Sequence, residues 1–340
     1  MSSKGKAGFS AYLMTPLMTL IGFTIASLVF IFILKEPSPV PAFIIFAVIQ
    51  ITCMSLFAFL PRRGRTVARV TSMFLMGSML FFLVGIMGRT NLQLEGFFFY
   101  LTTGTLSGVM VHFIMGKLIG PLVFSRSWCS WGCWTGMILD LLPYRENITW
   151  RKGTAPFIRY VHFLVSLALV AVLFFGFKYT ILHTDQAELA KGIGTMTELT
   201  WFLVGNIIYY VIGITLALIM KDNRAFCKYV CPLTVFLRTV NRITLTRIKG
   251  DQEKCTDCGT CVSKCPMGIS INKYVQLGER VKSTECILCM NCVAACPEGI
   301  LKASVGLDFA AKDYLNGRLE VTELSRSETG PFKETGGKVS

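Results

Sequence analysis

The run Cys255-Thr256-Asp257-Cys258-Gly259-Thr260-Cys261-Val262-Ser263-Lys264-Cys265-Pro266 returns as Cys286-Ile287-Leu288-Cys289-Met290-Asn291-Cys292-Val293-Ala294-Ala295-Cys296-Pro297. Both copies obey Cys-x2-Cys-x2-Cys-x3-Cys-Pro. Three thiolates on one short loop can take three corners of a four-iron cube, and the turn at Pro carries the fourth thiol to the neighbouring cube. The ligand sets given by that spacing are Cys255, Cys258, Cys261 and Cys296 for one [4Fe-4S] cluster, and Cys286, Cys289, Cys292 and Cys265 for the second. Two zinc ribbons would leave the third Cys of each loop and the trailing Cys-Pro without a purpose. Cysteines in tight clusters at ligand spacing also argue against a disulfide framework, and free thiols awaiting iron need a reducing compartment.

Upstream of these loops the chain changes character. Of its 340 residues 53% are hydrophobic and only 16% charged, and the mean hydropathy is +0.56. Soluble domains carry about 25% charged residues. Long Leu/Ile/Val runs and 26 Phe exclude a disordered chain. Six apolar stretches, near 10–34, 40–60, 67–88, 97–124, 156–182 and 201–220, reach the length of about 20 helical residues that a bilayer requires. The first is too long for a signal-peptide core and is expected to be a retained span. The expected fold is therefore a mainly α membrane protein. Residues 1–248 form a six-helix transmembrane bundle, 249–303 a cytoplasmic two-cluster ferredoxin-like domain, and 304–340 a flexible polar tail.

Basic residues set the orientation. With the N-terminus inside, the inner segments before the last span hold Lys4, Lys6, Arg62, Arg63, Arg65, Arg126, Arg145, Arg151 and Lys152. The outer side holds only Lys35, Arg89, Lys178 and Lys191. This bias predicts a multi-pass protein of the inner, cytoplasmic membrane with both termini cytoplasmic. The net charge of +14 then belongs to loops facing anionic lipid, and no nucleic-acid partner is expected.

A second pattern lies at the ends of the spans. Arg126-Ser127-Trp128-Cys129-Ser130-Trp131-Gly132-Cys133 repeats, 98 residues on, as Arg224-Ala225-Phe226-Cys227-Lys228-Tyr229-Val230-Cys231. Each copy follows an even-numbered span, as in a duplicated helical hairpin of parallel orientation. A helical Cys-x3-Cys would place both thiols on one face. Cys129, Cys133, Cys227 and Cys231 are candidate redox residues: a relay near a quinone, a dithiol switch, or a shared metal site. Arg126 and Arg224 are expected to lower their thiol pKa. Cys53, alone in the second span, is expected to be core.

Paired Cys-x3-Cys motifs after membrane spans, followed by a two-cluster segment, resemble the ferredoxin-type membrane proteins of the NapH/NosR/CcoG group over residues 67–303. The landmarks are Trp128 to Cys133 and Phe226 to Pro232. The resemblance implies electron transfer between a quinol pool or a cytosolic donor and a partner redox protein. Three features depart from the group: Cys133 is followed by Trp134 rather than Pro, about nine residues precede the first span where NosR-like members carry a flavin-binding domain, and the tail is shorter than in CcoG-like copper reductases. The layout is closest to the NapH-like arm.

Other chemistries find less support. The three histidines are His112, His162 and His183. His112 and His162 sit at unequal depths, so haem is not expected. The fourth span carries Gly104, Gly108, His112, Gly116 and Gly120 at intervals of four, a small-residue stripe suited to close helix packing, where His112 could also meet a quinone carbonyl. No dinucleotide or P-loop fingerprint appears. The function expected is membrane-bound iron–sulfur electron transfer, with metal (copper) reduction or redox sensing as alternatives.

Overall fold

The computed structural model describes residues 17, 20–25, 27–28, 31–32, 40–104, 108–144, 157–182, 193–310 and 313–315. The first expected span falls largely outside these residues, as do His183 and residues 316–340.

Uninterrupted apolar sequence, broken by proline or glycine, produces the long helices. Helix α1 (Val40–Phe59) is separated by Pro61 from α2 (Arg62–Met79), which runs on in π register through Leu80–Met87, and the two pack side by side. Helix α3 (Leu94–Thr103) stops at Gly104, whose φ of +66° suits glycine alone among common residues. Helix α4 then comprises Gly108–Phe113, a π-register turn Ile114–Ile119, and Gly120–Phe124. The fourth apolar stretch is thus not one helix over 97–124, because the left-handed residue at 104 ends the hydrogen-bond ladder there.

Short helices α5 (Trp128–Trp131) and α6 (Trp134–Leu139) follow, then α7 (Ile158–Ala171, continuing in π register over Val172–Gly176) and α8 (Met196–Met220). Thr195 starts α8 by accepting the Glu198 amide at 2.9 Å. Among the described residues three helices are long and apolar enough to cross a membrane, at Gly64–Met87, Ile158–Gly176 and Met196–Met220. Their outer faces are greasy: Leu164, Val165 and Phe175 on α7 and Ile207, Val211 and Ile219 on α8 are exposed. Such continuous apolar surface suits lipid, not water. Inside, Phe99, Phe202, Val170, Leu80 and Trp134 form the interhelical core.

The second copy of the repeat gives α9 (Ala225–Tyr229) and α10 (Leu233–Asn241), which lead into a small domain. There β1 (Thr246–Lys249) pairs antiparallel with β2 (Lys302–Val305), with Thr246 opposite Val305. Between them lie α11 (Thr260–Ser263), α12 (Ile271–Gln276) and α13 (Asn291–Ala295). Its core of Ile269, Tyr274, Val281, Ile287 and Val293 is continuous with Phe57 of α1, Trp131 of α5 and Leu237 of α10. Packing continues past residue 303, where a flexible tail was expected. Asp308 pairs with Arg247 at 2.7 Å and Arg280 at 3.4 Å, and Asp313 accepts from Ser283 and from the Thr284 amide, each at 2.7 Å.

Candidate iron–sulfur sites and their seat on the membrane helices

Each cysteine loop is wound by the same two backbone reversals. Asp257 and Gly259 flank Cys258 with φ of +52° and +68°, and Leu288 and Met290 flank Cys289 with +47° and +61°. Non-glycine residues at positive φ are costly and persist only where the surroundings enforce them. The exits match as well: Gly268 and Gly299, each three residues after the fourth Cys of its run, take φ of +65° and +64°. These turns throw Cys265 and Cys296 across to the opposite loop.

The outcome is two thiol-lined cavities of about 370 Å³ each. One is lined by Cys255, Cys258, Cys261 and Cys296, the other by Cys265, Cys286, Cys289 and Cys292. Burial pushes the Cys265 thiol up to about 12 and Cys261 and Cys286 up to about 11, so that without metal these groups stay neutral. Four soft thiol donors around a cavity fit an iron–sulfur cluster, whose binding displaces their protons. Among the described residues no three Cys, His, Asp or Glu side chains converge closely enough to hold a single metal ion.

The second loop is pinned to the helix ends. Ser130 Oγ donates to the Ile287 carbonyl at 2.6 Å, Trp131 Nε1 to Leu288 at 3.1 Å, Ser125 Oγ to Cys286 at 3.0 Å, and Asn241 Nδ2 to Thr284 at 3.0 Å. Beneath them lies a fully buried carboxylate. Glu285 accepts from Arg126 at 2.7 Å and Arg159 at 3.0 Å and forms an ion pair with Arg238 at 3.1 Å, whose Nε donates to Thr284 Oγ1. The first loop sits outward, and Cys258 is exposed.

The repeated pairs meet one another. Cys129, Cys133, Cys227 and Cys231 lie within mutual electrostatic reach: thiolate charge at Cys227, Cys129 and Cys133, together with the larger effect of burial, raises Cys231 well above the usual thiol range. Cys129 and Cys227 sit within α5 and α9, whereas both helices end before the second thiol of each pair. Cys133 instead caps α6, its sulfur accepting the Gly136 amide at 3.4 Å.

The two repeat arginines have diverged. Arg126 holds Glu285, whereas Arg224 pairs with Asp140 at 2.6 Å, donates to the Cys129 carbonyl at 2.9 Å, and lies 3.9 Å from Cys227 Sγ. The expected thiolate activation fails at Cys227. Burial raises it to about 11, outweighing the pull of Arg224.

Lys117 on α4 was not singled out by span reading, although a cation inside an apolar span is itself a functional signal. The π turn at Ile114–Ile119 interrupts the four-residue period of the glycine stripe. Lys117 is 1% exposed, its ammonium stands 3.7 Å above the Trp128 ring, and Nζ has no hydrogen-bond acceptor. The flat group over the stripe is this same Trp128 indole, beside Gly116 and edge-on to His112 at 5.0 Å. His162 Nδ1 is engaged by the Val230 carbonyl at 2.9 Å, and Cys53 is buried. Asp140 and Glu285, which anchor the site's arginines, carry no motif signal.

Family models agree with this layout. Residues 247–297 match a 4Fe-4S dicluster domain, and residues 106–152 and 206–249 each match a 4Fe-4S binding domain. The chain is 24% identical over 214 residues to Escherichia coli YccM, whose name assigns it provisionally to electron transport; the match covers 56% of this chain and 55% of that protein. It is 27% identical over 215 residues to the uncharacterized protein MJ0750 of Methanocaldococcus jannaschii, covering 56% of this chain and 84% of the other. A 46-residue stretch is 37% identical to MauN of Paracoccus denitrificans, a methylamine utilization ferredoxin-type protein, covering 13% and 16%. The chain thus spans about half the length of YccM. No solved structure matches.

Proposed function

We propose that this protein is a membrane-anchored electron carrier linking quinol-level redox chemistry in the bilayer to a partner redox protein through two [4Fe-4S] clusters on its cytoplasmic side. The observation that carries this reading is the seat of the second tetrad, whose loop carbonyls at 284, 286, 287 and 288 are held by side chains from the helix ends. A thiolate-held cluster supplies one-electron storage at a potential set by hydrogen bonding and exposure.

The chain's own residues do the rest. Ser125, Ser130 and Trp131 fix the second loop against the spans and keep water from it. Cys265 and Cys296, each reaching across to the other loop, hold the two sites side by side. Exposed Cys258 marks the outer site as the face for a redox partner. Access from lipid is supported by an apolar cavity of about 430 Å³ at the junction, lined by Met54, Phe57, Phe124, Trp131, Leu288 and Met290. Its apolar walls suit a quinone ring, and two of its residues, Leu288 and Met290, flank Cys289.

Six spans, cytoplasmic termini and a NapH-like layout complete the proposal, supported by Pro61-Arg62-Arg63-Gly64-Arg65 and the greasy outer faces of α7 and α8.

The test is reduction of the purified protein in liposomes by a short-chain quinol, followed by bleaching of the iron–sulfur absorbance. Met54→Trp, which fills the cavity, slows quinol reduction and leaves dithionite reduction unchanged. Wild-type clusters that dithionite bleaches but quinol leaves oxidised would refute the quinone link.

A further inference from the structure

Each of the two 4Fe-4S binding-domain matches contains only two cysteines: Cys129 and Cys133 in residues 106–152, Cys227 and Cys231 in residues 206–249. Two thiolates do not complete a four-iron site, which takes four. We propose that Cys129, Cys133, Cys227 and Cys231 together hold a third four-iron cluster, shared between the two halves of the repeat at the membrane face.

Three features of the fold converge on this. First, the halves are locked around the thiols. Arg224 of the second half donates to the Cys129 carbonyl of the first at 2.9 Å and pairs with Asp140 at 2.6 Å. Gly136 leaves it room, since a Cβ there would stand 2.9 Å from Arg224 Nη1. Second, Cys129, Cys133 and Cys227 all lie within electrostatic reach of Cys231, so the repeat brings the two pairs together.

Third, the site contains a cation that faces the Trp128 ring but finds no hydrogen-bond acceptor among the described residues. The Lys117 ammonium is buried, lacks a hydrogen-bond acceptor, and lies within electrostatic reach of Cys129, Cys133 and Cys231. An uncompensated buried charge is strongly unfavourable. A cube with four thiolates carries net negative charge and would supply the missing counter-ion. Asp140 does not do so, because its two oxygens are taken by Arg224 and by Arg69 at 2.8 Å. The position has a purpose as well: Cys289 of the second tetrad lies within electrostatic reach of the same Arg224 and Asp140. The third site therefore adjoins the second tetrad through Arg224 and Asp140.

The experiment is iron and acid-labile sulfide per chain on full-length protein purified in detergent without oxygen, with EPR of the reduced protein. The expected wild-type value is about twelve iron atoms, four for each cube. Cys129→Ser/Cys231→Ser is expected to keep about eight, with the two ferredoxin signals intact as the control for folding. About eight in the wild type, unchanged iron in the double variant, or one zinc or copper ion lost with those thiols would overturn the proposal.

Should the double variant lose all its iron, Lys117→Gln decides, because it keeps every thiol. Removing the cation is expected to move one of three midpoint potentials to a more negative value and leave two in place. No shifted species would overturn the proposal. The ferredoxin assignment fails separately, if Cys258→Ser/Cys289→Ser costs no iron.

Discussion

Replacing Glu285 by Ala tests what fastens the small domain to the membrane helices. The carboxylate is fully buried and serves three guanidiniums, from Arg126 on the α4–α5 connection, Arg159 on α7 and Arg238 on α10. Arg126 and Arg159 are essentially without water, whereas Arg238 is partly exposed and keeps Asp313 at 3.2 Å. Removing one member of a buried ion pair costs about 3–5 kcal/mol, because the remaining charge stays desolvated. Two such charges are left here, so the upper part of that range applies to the variant, and Arg238 adds little. At about 1.4 kcal/mol per decade, the docked state loses roughly a thousand- to several-thousand-fold in population relative to the undocked one. The assay is the rate at which protease releases the domain in detergent, with iron content measured in parallel. The control is Asp251→Ala, which breaks an exposed pair with Lys254 and is expected to change nothing measurable. Release at the wild-type rate from a Glu285→Ala protein with full iron would show that the buried charges carry no docking energy.

Gly136→Ala is expected to destabilise the protein by about 1–3 kcal/mol through overpacking against Arg224, seen as a lower midpoint in thermal unfolding. Gly259→Ala meets no neighbouring atom but must adopt φ of +68°, so a smaller loss of about 1–2 kcal/mol is expected with iron content unchanged. Stripping iron with a chelator under oxidising conditions should unfold the small domain, because its core is built around the thiol-lined cavities. Circular dichroism should then report the long helices retained and near-ultraviolet signals from the domain lost.

The eight loop cysteines are legible in the amino-acid sequence because cluster geometry imposes their spacing and the turns at Cys265-Pro266 and Cys296-Pro297. The long helices α2, α7 and α8 are legible for a similar reason, since a bilayer demands length and apolarity that no soluble element needs. What escapes is whatever depends on three-dimensional neighbours. Lys117 faces the thiol pairs from within a span interrupted by Gly104 and by a π turn, and a four-residue period drawn on a straight helix does not reveal that face. Glu285 and Asp140 look like ordinary surface carboxylates until the folded chain surrounds them with arginines. Met290 takes a left-handed conformation that Gly259 advertises in the first loop and nothing advertises in the second. Asp308 and Asp313 lie in a polar stretch without periodicity, yet each ties that stretch to an arginine.

The exchange of fourth thiols between the loops sets an order of assembly. Cys296 belongs to the outer site and Cys265 to the inner one, so the inner site is complete only when the chain has been synthesised through residue 292 and the outer one through residue 296. A ribosome that has released only the first loop has made three ligands of one cube and a stray thiol of another. Loading therefore waits for the second loop, which completes the inner site and then, four residues later, the outer one. The same linkage governs loss: oxidation that frees Cys265 or Cys296 damages the neighbouring loop as well as its own. Each loop thus depends on a thiol that the other loop carries.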